Sequence, residues 1–105
     1  MRLALALVVL LAACASPDRA FWGSEEQRIT IDGRAYAVFV RRTPGESRPR
    51  VQVIRLGYAR RPEHPAILIA MRQAAEQVSG CLLIEGSAEG DSGVMTARLA
   101  CDATG

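Results

Sequence analysis

The sequence has no lysine, so all thirteen of its basic side chains are arginines. A GC-rich coding bias accounts for this before any selection for the planar, bidentate guanidinium does. Aromatic residues make up only 5% of the chain, with a single tryptophan, and histidine occurs once, as His64. Around His64 no Cys-x-x-Cys or similar compact ligand spacing is present, so neither a metal nor a cofactor is expected. There is no glycine-rich phosphate loop, no paired-carboxylate spacing and no internal repeat, so nothing in the chain spells out a catalytic chemistry. No apolar run reaches the ~20 residues that a membrane-spanning helix needs.

The longest apolar run is Leu3 to Ala13, in which every residue is Leu, Ala or Val, behind a short basic start of Met1 and Arg2. That pattern reads as the core of a signal peptide. The run ends in Leu11-Ala12-Ala13-Cys14, which resembles the lipobox of bacterial lipoprotein precursors; the resemblance covers residues 1–14. It implies that residues 1–13 are cleaved, that the Cys14 sulfur is diacylated, and that the new amino group is acylated in turn. Only a thiolate is nucleophilic enough for the sulfur step, and two or three acyl chains anchor stably where one binds reversibly. The alternative is an ordinary cleaved signal that Cys14 merely follows. Ala15, rather than Asp, after the cysteine resembles the pattern passed on to the outer membrane. The implied location is the periplasmic face of the envelope, outer membrane in preference to inner.

Removing residues 1–13 from 105 leaves 92, enough for one domain. A domain of this size buries little more than ~60% of its unfolded surface, so a covalent staple matters. With Cys14 acylated, Cys81 and Cys101 remain as an even pair in an oxidising compartment and are expected to form a disulfide. Charge is segregated. Arg28 to Arg61 holds nine arginines against Asp32 and Glu46, whereas Pro62 to Gly105 holds two arginines against six acids.

Residues 14–27 carry no period and read as a lipidated, flexible tether, followed by a single domain over 28–105. Within the tether, Phe21-Trp22 is expected to cap the core in preference to resting at the bilayer interface. Ile29 and Ile31 lead into Asp32-Gly33, then Tyr36, Val38 and Val40. Asp-Gly between alternating apolar residues marks a two-residue hairpin turn, which pairs Ile31 with Arg34 and puts Ile29, Ile31, Tyr36, Val38 and Val40 on one face. A third strand over residues 50–58 changes apolar phase between Val53 and Ile54, and a β-bulge there would keep both sets inward.

Pro65 to Ser79 repeats apolar residues at helical spacing (Ile67, Ala70, Met71, Ala74, Ala75, Val78), with Gly80 placed to end it. Cys81 to Glu85 and Val94 to Cys101 form a second strand pair. Placing Cys81 opposite Cys101 sets Leu83 beside Leu99 and Glu85 beside Ala97. The expected fold is α+β, a small antiparallel sheet of about five strands in the order β-β-β-α-β-β with one helix packed on one face.

Gly90-Asp91-Ser92-Gly93 copies the residues around the nucleophile of chymotrypsin-like serine proteases. The likeness stops there, because Val94 replaces a further glycine and no aspartate lies between His64 and Asp91 to orient a base. The loop reads as turn chemistry. The arginines are the remaining candidates. Arg41 shares a strand face with Phe39, and Arg42, Arg50 and Arg55 mark strand ends or the solvent side, so this basic half is suited to an anionic headgroup or envelope polymer. Export and the lack of a binding motif argue against nucleic acid. The expected function is a non-enzymatic accessory or assembly component that binds another envelope protein through a sheet edge or the Phe39/Arg41 face. The alternative is a small module binding an anionic envelope ligand.

Overall fold

A computed structural model describes residues 16–101; the signal segment expected over residues 1–13 and the expected lipidation site Cys14 lie outside them. The described residues form an α+β fold. Strands β1 (Glu26–Ile31), β2 (Arg34–Arg41) and β3 (Arg50–Leu56) are followed by helix α1 (His64–Ser79), and then by β4 (Leu82–Leu83), β5 (Glu89–Gly90) and β6 (Val94–Ala100). The sheet is antiparallel in the order β1-β2-β3-β6-β4, with β5 also on β6. No helix among the described residues is long and apolar enough to cross a membrane.

The β1–β2 hairpin has the expected register, Ile31 opposite Arg34 and Ile29 opposite Tyr36. Asp32 and Gly33 both take positive φ, 51° and 80°, as a type I′ turn requires. Alternation turns Tyr36, Val38, Val51, Val53, Met95, Ala97 and Leu99 to one face. There they bury against Ile67, Ala70, Met71, Ala74 and Ala75 of α1. Alanine on the contact stripe lets α1 lie close to the sheet. The helix ends where Gly80 adopts φ 74°, and Ile69, on the opposite stripe, is exposed.

No β-bulge interrupts β3: its pairing with β2 runs unbroken from Leu56 to Arg50, and with β6 from Ile54 to Arg50. Ile54 and Leu56 instead face away from α1, where they pack against a second cluster of Phe21, Ala37 and Phe39. Both sheet faces carry apolar cover, so the phase change needs no extra residue. Phe21, 2% exposed, comes from a 3-10 turn over Arg19–Phe21, and its neighbour Trp22 is 67% exposed. The segment expected to be a tether through residue 27 is therefore part of the fold from Asp18 onward.

Cys81 and Cys101 are joined, their Cα atoms 4.8 Å apart. Leu83 lies opposite Leu99 as expected, but Glu85 does not reach Ala97. The chain leaves β6 after Leu83 and rejoins it with Glu89 opposite Thr96. The Ser87 hydroxyl bridges the gap, accepting from the Arg98 amide at 3.1 Å and donating to the Ile84 carbonyl at 2.6 Å.

Candidate anion-binding face

Strand register builds the site. Arg41 lies opposite Arg50 across β2 and β3, and Arg50 lies opposite Arg98 across β3 and β6. All three project from the sheet face away from α1, the face of Phe39, Gln52 and Thr96, and all three are exposed. Directly opposed residues on neighbouring strands have Cβ atoms only about 4.5–5.5 Å apart, and like charges so placed repel. Among the described residues none of the three guanidinium groups has a hydrogen bond or ion pair. They border a cleft of about 180 Å³ with Thr43 and Glu46. On its other side Arg50 and Arg98 border a second cleft, of about 360 Å³, with Ser87, Glu89 and Thr96. A three-strand row of unneutralised, bidentate donors is suited to phosphate or carboxylate oxygens.

The other two arginines of the expected set serve the fold. Arg42, one residue on from Arg41, emerges on the opposite face. Its Nη2 donates to the Ser79 carbonyl at 2.8 Å, and Nη1 lies 3.7 Å from Cys101 Sγ. It thus satisfies a carbonyl in the last turn of α1, the end of a helix that favours a cation. Arg55 is half-buried; its Nε donates to the Gly57 carbonyl at 3.1 Å and its Nη1 to the Ser92 carbonyl at 2.9 Å. Neither group is available to a ligand without giving up those bonds. Arg98 was missed because the sequence did not indicate that β6 borders β3. Its one sequence signal is alternation in β6, which sets it with Thr96 opposite the apolar Met95, Ala97 and Leu99.

Phe39, expected as the apolar half of a docking face, is 4% exposed beneath Phe21. Only the arginine half of that face is open.

The fold also brings together two residues that spacing did not connect. Ser92 Oγ and His64 Nδ1 are 2.6 Å apart, joining the β5–β6 loop to the first residue of α1. Ser92 is 6% exposed, and its oxygen also lies 3.4 Å from Arg55 Nη1. The Asp91 carboxylate accepts from the amides of Gly93 (2.8 Å) and Val94 (3.0 Å). The Val94 and Gly93 bonds, assisted by the positive charge of Arg55 and His64, hold its pKa below the usual aspartate range. That carboxylate is aimed at loop amides and not at the imidazole, so Asp91 does not serve Ser92 and His64 as the orienting acid of a triad. The contact is a latch between loop and helix. Among the described residues no group of His, Cys, Asp and Glu side chains is placed to hold a metal ion.

No protein-family model, curated protein or solved structure matches this chain.

Proposed function

We propose that this chain is a non-enzymatic, lipid-anchored component of a bacterial cell envelope, whose domain binds an anionic envelope ligand through Arg41, Arg50 and Arg98. The signal segment 1–13 and Cys14 supply export and acylation in this reading. Ala15 directs the product to the periplasmic face of the outer membrane. The observation that carries the ligand assignment is the in-register arginine row without a carboxylate partner among the described residues. Its three charges repel one another until an anion occupies the face, which makes binding and local relief of strain the same event.

Binding of glycerol 1-phosphate and of lipopolysaccharide to the purified domain, measured over a range of salt, tests the reading. Affinity should fall steeply with ionic strength. It should be lost in an Arg41→Thr/Arg50→Thr/Arg98→Thr variant, threonine being well suited to strands. Salt-independent binding, or binding untouched by the triple substitution, would reject it. Intact-mass analysis of the native product tests the anchor: two or three acyl chains on a species starting at Cys14 are expected.

The second reading, docking to another envelope protein, keeps support from exposed apolar residues on α1. Leu68 and Ile69 are 42% and 60% exposed, and Leu68 borders a cleft of about 180 Å³ with Ala88, Gly90 and Met95.

A further inference from the structure

Trp22 stands where the anchor enters the fold. Its indole Nε1 donates to the Pro17 carbonyl at 3.2 Å, and Pro17 is three residues beyond Cys14. At no more than about 3.6 Å per residue, those three steps span roughly 11 Å at full stretch. An acylated Cys14 has its sulfur at the top of the hydrocarbon layer, so Trp22 is tethered within reach of the headgroup layer above it. The indole is 67% exposed in the folded chain, and the Arg19 guanidinium carbon lies 5.6 Å from its ring centre. Tryptophan flanked by cations is the pairing favoured at a membrane–water interface.

The arginine row adjoins this indole. Trp22 borders a cleft of about 500 Å³ together with Arg41 and Arg42, and Arg41 also borders the smaller cleft that holds Arg50 and Arg98. Asp18, the residue after Pro17, is hydrogen-bonded to Gln52, two positions along β3 from Arg50 on the same face. The chain therefore leaves the domain beside its unpaired cations. A ligand for those cations that must also be present at the anchoring point is the headgroup layer itself.

We infer that the face formed by Arg19, Trp22, Arg41, Arg50 and Arg98 lies against the leaflet in which Cys14 is embedded, with the guanidinium groups on anionic phospholipid phosphates and the indole at the interface. The inference rests on the proposed lipid anchor and anion-binding row, and it specifies their ligand. It orients the domain: α1 and its exposed Leu68 and Ile69 point away from the membrane, free for the periplasm. Each arginine near an anionic surface shifts the docked-to-free ratio by about fivefold.

Because Trp22 is the sole tryptophan, its fluorescence reports the face directly. The acylated full-length mature protein is reconstituted in phosphatidylcholine vesicles with and without phosphatidylglycerol. With phosphatidylglycerol, Trp22 emission is expected to shift to shorter wavelength and to be quenched by lipids brominated near the headgroup. High salt, or Arg50→Thr with Arg98→Thr, should return it toward the water-exposed spectrum. Water-like, unquenched emission in both vesicle types would overturn the inference. If the domain nevertheless bound glycerol 1-phosphate or lipopolysaccharide through the arginine row, membrane docking alone would fail. If it bound neither, the anion-binding reading would fall as well. A native product without acyl chains on Cys14 would also overturn it, because nothing would then hold Trp22 near a leaflet.

Discussion

Asp18 and Gln52 exchange two hydrogen bonds: the Asp18 amide donates to Gln52 Oε1 at 2.9 Å, and Gln52 Nε2 donates to Asp18 Oδ2 at 3.0 Å. Gln52 Nε2 also reaches Thr96 Oγ1 at 2.9 Å, which makes this wholly buried glutamine the joint between the N-terminal segment and two strands. Hydrogen bonds to a charged group contribute about 1.5–3 kcal/mol each. Gln52→Ala should therefore release the segment and speed tryptic cleavage after Arg19 by roughly tenfold, each 1.4 kcal/mol of lost closure corresponding to that factor. Unchanged cleavage would mean that Phe21 alone holds the segment down.

A row of opposed cations carries a stability signature. Arg50 has Arg41 on one side and Arg98 on the other, so Arg50→Thr should raise the unfolding free energy by about 0.5 kcal/mol in low salt. The gain should shrink as salt screens the repulsion. Urea melts of both proteins at low and high ionic strength measure it. A variant destabilised at every ionic strength would show that the three groups do not repel.

Asp91 gives the fold an acid-sensitive element. Its pKa is held below the ordinary value of 3.8, chiefly by the amides of Val94 and Gly93. Since the folded value lies below the unfolded one, the group stabilises the fold at neutral pH. That contribution is lost as pH falls from about 3.8 through the lower folded value. Asp91→Asn keeps an oxygen for both amides but removes the titration. Stability curves from about pH 2 to pH 6 should therefore differ most at the neutral end and converge in acid. Parallel curves would refute the assignment.

The Cys81–Cys101 bond closes a separation of 20 residues that includes β4, β5 and the whole of β6. In the chain-entropy model a loop of that size contributes about 3 kcal/mol. Replacing both cysteines with serine should lower the unfolding free energy by about that amount. The loss should appear in the urea midpoint with little change in slope. A loss well under 1 kcal/mol would place the stabilisation elsewhere.

Where the determinants are local, the sequence discloses this fold well. Asp32-Gly33 fixes the register of Ile31 with Arg34, and helical spacing picks out Ile67, Ala70, Met71, Ala74 and Ala75. The cysteine positions align Leu83 with Leu99. Features set by long-range placement were not visible. Ile54 and Leu56 look out of phase until Phe21, more than thirty residues earlier, arrives on the outer face. Glu85 fails to reach Ala97 because Ser87 substitutes a hydroxyl for a strand amide partner. Likewise the arginine row needs Arg98, 48 positions after Arg50, and follows only from β6 lying beside β3. The contact between His64 and Ser92 is of the same kind, created by where α1 starts relative to a loop.

Because Phe21 roofs Ala37 and Phe39, the residues between Asp18 and the first strand are not interchangeable spacer. A soluble version that starts at the first strand would strip an apolar surface bare, inviting self-association. Expression fragments should begin no later than Asp18, and affinity tags belong at the C-terminus.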